Sequence, residues 1–360
     1  MIPTVTLAGA TPSAPVTAGR LFELMSGYKA TAVLRAAVRL RVFDVLAAGP
    51  ATAADCARRM GTDDRGIAAL LAALAGLELL TAREPLPGED GGREFALAPG
   101  AAELLVTTSP QWCGGVSDVV AGDLEWATLG ELARTVRDGG PVPGVDALAP
   151  DFAYWSDFAT HTTFGTRRAA ELLADTLAPW GSRRPSLRVL DLGAGHGLTC
   201  LDLLARCPQA HLTVLDWPSV LPVARRNAQA AGVEARFGTL AGDGRTAPLG
   251  GPYDLVVLGN LLFHFSAEQA QRLVARAAAS LAPGGRLVVL GFTAGDAPAA
   301  TEVHAAMLGL LVLSWTDGGR LHSTADHRRM LAAAGFGRAD LVGRPGLPLR
   351  LLVARREEQG

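Results

Sequence analysis

The sequence predicts an α/β protein, a doubly wound and mostly parallel sheet preceded by a mainly helical domain. Three observations predict it. From Leu187 onward, apolar runs alternate with stretches of helical period, the pattern of parallel strands with helices on both faces. A glycine-rich turn, Asp191-Leu-Gly-Ala-Gly-His-Gly197, links the first run to a helical stretch. Residues 20–98 read instead as helices, a turn and a Pro/Gly loop between short extended pieces.

Length and composition bound the rest. A chain of 360 residues with 49% hydrophobic and 19% charged residues has ample material for a buried core and is not disordered in bulk. Its net charge of −2 gives no global case for nucleic acid or an anionic membrane. Cys56, Cys113, Cys200 and Cys207 are scattered without metal-ligand or disulfide-framework spacing, as expected of a reduced, cytoplasmic protein. Residues 1–19, a Pro/Thr/Ala stretch without a signal-peptide pattern, are expected to be a flexible tail.

Residues 20–110 are expected to form one domain. Leu21, Phe22, Leu24 and Met25, then Val33, Leu34, Ala37 and Val38, recur at helical spacing in short helices. Thr52 with Asp55 marks a helix start, and Gly61-Thr-Asp-Asp a turn before the helix Ile67–Leu80. The loop Pro85–Gly92 then separates two strands of a wing. Such a winged helix can bind DNA, but the helix Arg65–Leu80 carries one Arg among Ala, Leu, Gly and Glu. That surface suits burial against a protein better than phosphate contact. Residues 111–180 read as connecting helices, Leu124–Arg137 and Asp151–Leu177, around the loop Gly139–Pro150.

Residues 181–360 carry the sheet. Strands are expected at 187–191, 211–215, about 233–237, 253–258, 286–292 and 349–354, with helices at 197–206, 218–231, 267–280 and 323–334. The last strand follows a short Gly/Pro turn and is expected to return antiparallel. Gly193, Gly195 and Gly197 allow a ligand close to the backbone and supply φ values that a Cβ disfavours. Their spacing departs from the dinucleotide pattern G-x-G-x-x-G and fits an adenosyl-methionine loop better than an NAD loop.

Further residues fall where strands of such sheets end and ligands bind. Asp216 ends the second strand; its carboxylate can accept from both ribose hydroxyls, or cap the following helix, or both. Trp217 offers a flat face to a purine, or ordinary packing. In Gly242-Asp-Gly244, Asp243 can accept from an exocyclic amine or close an Asx turn, and Gly244 leaves room for a ring. Gly259-Asn260 ends the fourth strand, and Leu261–Phe265 is expected to begin the next helix.

With D-L-G-A-G-H-G at 191–197, D-W-P at 216–218, G-D at 242–243 and L-A-P-G-G at 281–285, the chain resembles a known family from about residue 20 onward. These are the S-adenosyl-methionine-dependent small-molecule O-methyltransferases with an amino-terminal winged-helix dimerisation domain, known from plant phenylpropanoid metabolism and bacterial natural-product tailoring. The resemblance implies a class I, Rossmann-like methyltransferase fold and S-adenosyl-L-methionine as cofactor. It implies that Asp191, Gly193, Gly195 and Gly197 lie around the methionine moiety and that Asp216 holds the ribose. Trp217 and Gly244 would flank the adenine, Asp243 bind its amine, and Gly259 or Asn260 line the cofactor. It further implies a homodimer through the amino-terminal helices.

The sequence departs from the family at the acceptor. Plant-type members carry a general-base His in L-H-D-W-x-x-E. The corresponding stretch, Leu262-Phe-His-Phe-Ser-Ala-Glu268, puts Phe263 at the base position and His264 where the family has Asp. On a helix that shift turns a side chain by about 100°. The nearest matches to the carboxylates that orient the base are Gly291 and Leu321, which orient nothing. His264, His304 and His161 are the candidate catalytic side chains, and each has an ordinary structural alternative; His322 is a further polar candidate. Phe263, Met307, Leu308, Leu311 and Trp315 are candidate walls of the acceptor pocket. No metal is expected, since the histidines lack ligand spacing.

The function these readings imply is methyl transfer to a small, largely apolar acceptor, most simply to oxygen in bacterial secondary metabolism. With no base at position 263, it would be driven by proximity. The alternatives are transfer to carbon or nitrogen, a relative using the cofactor pocket for decarboxylation, hydroxylation or ring formation, and a winged-helix regulator.

Overall fold

The computed structural model describes residues 15–85, 92–295 and 302–356, and their contacts divide them into two compact units, 15–126 and 127–356. The first unit starts with α1 (Ala18–Arg39), a single helix of 22 residues where the spacing predicted short ones. Then come α2 (Val42–Leu46), β1 (Ala51–Thr52), α3 (Ala53–Met60), α4 (Asp64–Gly76), β2 (Leu80–Arg83), β3 (Glu94–Leu97) and α5 (Ala101–Leu105). Thr52 and Asp55 form a reciprocal capping box at the start of α3, satisfying helix donors that would otherwise be orphaned. Gly61, left-handed at φ 65°, ends that helix. The strands pair antiparallel in the order β1-β3-β2. Val42, Phe43, Ile67, Leu71, Leu74 and Phe95 fill the core between helices and sheet. The wing strands are present as expected, while most of the loop Pro85–Gly92 lies outside the described residues, as does most of the tail 1–19.

α6 (Asp123–Gly130) straddles the division between the units, and α7 (Leu132–Asp138), α8 (Tyr154–His161) and α9 (Thr166–Gly181) lead to the sheet. The sheet and its helices are β4 (Leu187–Leu192), α10 (Leu201–Arg206), β5 (Ala210–Asp216), α11 (Leu221–Ala230), β6 (Phe237–Ala241), β7 (Tyr253–Gly259), α12 (Ala267–Ala279), β8 (Leu281–Gly291), α13 (Val303–Trp315), α14 (Thr324–Ala333), β9 (Arg338–Val342) and β10 (Arg350–Arg355). The strand order is β6-β5-β4-β7-β8-β10-β9. β4 to β8 run parallel, and β10 is antiparallel to both β8 and β9.

Side chains alternate across this sheet, so each strand feeds two cores. Leu187, Val189, Leu255 and Val257 pack on one face, with Leu173 and Leu177 of α9. Leu190, Leu192, Val256 and Leu258 pack on the other, with Leu273 and Val274 of α12. Burial on both faces fixes the register of the central strands, because a one-residue slip would exchange the two cores.

Two expectations in the sheet domain are corrected. The strand placed at about 233–237 lies at 237–241, and Glu234–Arg236 before it is a 3₁₀ turn. The aromatic run 261–265 does not begin a helix. It is a 3₁₀ turn over Leu262–His264, and α12 starts at Ala267 behind a Ser266–Gln269 capping box. The strand β9 was not visible in the sequence at all.

Candidate active site

The glycine turn leaves the carboxyl end of β4 with three left-handed residues, Gly193 at φ 70°, Gly195 at 56° and Gly197 at 73°. Two of them are closely overlaid. A Cβ on Gly193 would sit 2.8 Å from Leu261 Cδ1, and one on Gly197 would sit 3.0 Å from Ala224 Cβ. Gly195 differs, because a Cβ there would meet nothing within 4 Å. The turn therefore packs at its two ends and leaves its middle backbone open.

Asp216 ties this turn to the next strands. Its Oδ2 accepts the Gly195 N–H at 2.7 Å and its Oδ1 accepts the Trp217 N–H at 2.7 Å. Its carbonyl accepts from Gly242 N–H at 3.0 Å. Burial raises its pKa, against those two backbone donors, which lower it. The ring of Trp217 packs with Trp155 against Ala159, Val220 and Val223. Asp243 is already engaged, since Arg245 Nε donates to Oδ2 at 2.8 Å and the Arg245 backbone N–H to Oδ1 at 2.8 Å. Burial pushes Asp243 upward, but these bonds outweigh it and leave the pKa lowered. Gly244 lies so near Leu192 that a Cβ would come 3.1 Å from its Cδ1. At the end of β7, Asn260 is left-handed at φ 50° and donates its N–H to Leu290 O at 2.7 Å. Gly259 precedes it, its Cβ direction 3.9 Å from Thr199.

Asp191 is the most unusual group. It is wholly buried, its Oδ2 meets the Cys200 thiol at 3.6 Å, and its Oδ1 has no hydrogen-bond partner. Burial raises its pKa to about 7. An orphaned buried carboxylate oxygen beside an open glycine backbone fits a cationic ligand, which would satisfy the oxygen and repay its desolvation. The neighbouring His196 was not singled out in the sequence, although it stands within the motif. Its Nδ1 accepts the Leu198 N–H at 3.2 Å and its Nε2 meets Thr166 Oγ1 at 2.7 Å. Burial lowers its pKa to about 4, so the neutral Nε2–H tautomer pins the start of α9 to the glycine turn.

The segments expected to face the acceptor are aromatic. His264 stands edge-on to Trp155 with ring centroids 5.0 Å apart, and its ring is 4.5 Å from the buried Phe263. Burial lowers the His264 pKa to about 4. Trp155 donates Nε1–H to Ala147 O at 2.7 Å, which fixes its ring plane. Tyr154 packs on Trp315 at 4.5 Å and on Phe158 at 5.7 Å. Trp315 is buried and donates Nε1–H to Thr128 Oγ1 at 3.0 Å. On α13, Leu308 and Leu311 are half-buried, while Met307 and His304 are exposed, His304 lying 5.2 Å from the Phe292 ring. His161 ends α8, half-buried and apart from the 262–265 turn in sequence. The sequence reasoning missed Tyr154 and Trp155; their signal was the aromatic density of Phe152–Phe158. Among the described residues, no group of three or more His, Cys, Asp or Glu could hold a metal ion.

Glycines at the end of the central strand, an orphaned carboxylate beneath them and a second carboxylate ending the next strand define a Rossmann-like methyltransferase of class I. The chain matches the O-methyltransferase dimerisation domain over residues 22–107 and the O-methyltransferase domain over residues 182–337. It is 31% identical over 346 residues to acetylserotonin O-methyltransferase of Mus musculus, covering 93% of this chain and 88% of that one. It is 30% identical over 324 residues to 3-hydroxy-5-methyl-1-naphthoate 3-O-methyltransferase of Streptomyces sahachiroi, covering 88% of each. Among solved structures, PigF with SAH superposes at a TM-score of 0.78 and 25% identity, over 95% of this chain and all of that one. The chain belongs to the S-adenosyl-methionine-dependent O-methyltransferase family with an amino-terminal dimerisation domain. It is an enzyme, and its cofactor is S-adenosyl-L-methionine.

Proposed function

We propose that this enzyme methylates a hydroxyl oxygen of a small, flat, largely apolar acceptor in secondary metabolism, by alignment rather than with a strong general base. The observation that carries the reading is His264. A base works best when its pKa lies near the operating pH. Held near 4 by burial, His264 is a poor acceptor for a phenolic proton near 10. Phe263 next to it cannot accept one. Rigid aromatic walls from Trp155, Tyr154 and Trp315 favour a planar acceptor and can hold it in line, and such orientation is worth several kcal/mol.

On this reading Asp191 meets the cationic methionine end of the cofactor, and Gly193, Gly195 and Gly197 let it approach the backbone. Asp216 takes the ribose with its remaining lone pairs. Trp217 and Gly244 flank the adenine, Asp243 meets its amine while sharing its carboxylate with Arg245, and Gly259 and Asn260 close the side of β7. The cofactor supplies an electrophilic methyl on a sulfonium; the chain supplies position and a dry, uncharged acceptor wall. The dimerisation domain supports a homodimer, which we assign to the exposed apolar face of α1. Among the described residues no helix is long and apolar enough to cross a membrane, and we place the enzyme in the cytoplasm.

The test uses cofactor labelled in the methyl group with two phenols, 4-nitrophenol and the less acidic 4-methoxyphenol. The reading expects label in both products and a kcat/KM that rises with pH along each acceptor's own ionisation. Product without label would refute methyl transfer. A limb shared by both acceptors near the ordinary His range would restore a protein base.

A further inference from the structure

We propose that His322 is a positioning residue for the transfer, clamping the turn that presents Phe263 and His264 to the acceptor. His322 is fully buried, and its Nε2 lies 3.2 Å from Leu262 O and 3.2 Å from Phe265 O. Both partners are carbonyls and accept only, so Nε2 carries the proton and shares it between the two ends of the 3₁₀ turn. Its Nδ1 has no hydrogen-bond partner, as expected of a neutral imidazole held by one edge.

The turn needs such a clamp. It follows a left-handed Asn260 and precedes the Ser266 cap of α12, and its own bonds are His264 N–H to Leu261 O at 3.2 Å and Phe265 N–H to Leu262 O at 3.1 Å. A three-residue 3₁₀ turn has weak intrinsic stability. Three further contacts come from the segment that carries His322. A Cβ on Gly318 would sit 3.1 Å from Ser266 Cβ, and one on Gly319 would sit 2.9 Å from His264 O. The His322 carbonyl accepts the Ala294 N–H at 3.3 Å, tying the segment to the chain just past β8. Residues 318–322 thus form a strap that touches the turn at Leu262, His264, Phe265 and Ser266. His322 supplies the strap's side-chain hydrogen bond, and it acts on the acceptor wall without touching the glycine turn.

The inference rests on the proposed acceptor site, so its test separates the two. His322→Ala removes the clamp; His322→Gln returns an N–H donor near the Nε2 position. The readouts are cofactor affinity by calorimetry, amide exchange over residues 262–266, and turnover with 4-nitrophenol. His322→Ala is expected to keep cofactor affinity within about twofold, to raise exchange across the turn, and to lower kcat about tenfold or more, the scale of a lost alignment. His322→Gln is expected to recover most of both. Unchanged exchange in His322→Ala, or equal damage to cofactor binding and turnover, overturns the proposal. So does a well-folded His322→Gln as impaired as the alanine variant. If wild-type enzyme transfers no methyl to the phenol, the methyl-transfer reading fails, while the exchange experiment still decides whether His322 holds the turn.

Discussion

Replacing Asp191 by Asn should make the cofactor-free protein more stable at alkaline pH and weaken its grip on the cofactor. Asp191 is fully buried with one oxygen orphaned, and its pKa is raised from 3.8 to about 7. The folded state therefore holds a proton that the unfolded chain has already lost. The stability associated with this group is complete below the unfolded pKa and is lost as pH rises through the folded one. Three pKa units at about 1.4 kcal/mol each set the full loss at roughly 4 kcal/mol. Asn carries no charge but leaves a buried amide imperfectly paired, at a cost of about 1–3 kcal/mol. The variant should thus be about 1–3 kcal/mol more stable than wild type at pH 8, with the advantage gone near pH 5. Urea denaturation of the cofactor-free proteins across that range measures the difference. In the bound state the order reverses, because the carboxylate now meets a cation. Loss of that charge-assisted contact should weaken binding by about tenfold or more. Wild-type affinity should itself rise as pH passes through 7 and the carboxylate ionises. A stability difference that does not change between pH 5 and 8 would refute the buried-charge argument. Undiminished affinity would show that Asp191 does not face the cationic end of the cofactor.

Three further outcomes are expected. Asp216→Ala removes the acceptor of the Gly195 and Trp217 N–H groups and should weaken the cofactor by at least about tenfold in calorimetry. In the Asp191→Asn background, stability should fall as pH drops from 6.5 towards 4. His196 and His264, both lowered by burial to about 4, bind fewer protons folded than unfolded in that window, so their contribution is full above 6.5 and lost on acidification; a flat urea midpoint would contradict it. Phe22→Asp with Met25→Asp should yield a monomer in light scattering, since these side chains are 65% and 67% exposed on α1 and large exposed apolar faces mark interfaces.

The strand-end turns that we propose hold the donor were legible because they are built locally. Glycines, a strand end and a following cap lie within a few residues of one another, so Gly193–Gly197 and Asp216 could be placed before any packing was known. The strands that feed two cores were legible for a similar reason, their residues being mostly apolar on both faces. β9 was not, because an edge strand needs no apolar run. Arg338 and Asp340 satisfy each other there at 2.8 Å, and its neighbour in the sheet is β10 alone. The run 261–265 looked helical because aromatic and aliphatic residues crowd it. The capping signal Ser266-Ala-Glu-Gln269 stood in the sequence and places the helix start at Ala267, beyond the whole run. What we propose clamps the turn is His322, 57 residues beyond Phe265, and no periodicity announces a bond of that span.

On the proposed reading, the acceptor half is written in contacts of this long-range kind, and its electrostatics follow from the donor half. A sulfonium brings a fixed positive charge to a site whose buried carboxylate sits near its own titration point. A second cation on the acceptor wall would raise the energy of that charge in a low-dielectric setting, where repulsion is weakly screened. Burial of His264 between Trp155 and Phe263 prevents it, since an imidazole with a pKa near 4 stays neutral at working pH. The same burial that spoils His264 as a base therefore keeps the wall uncharged. Negative charge must then arrive with the acceptor. An acidic phenol that ionises in water and docks as its anion neutralises the sulfonium on entry, and for such an acceptor the Phe at position 263 removes nothing the reaction needs.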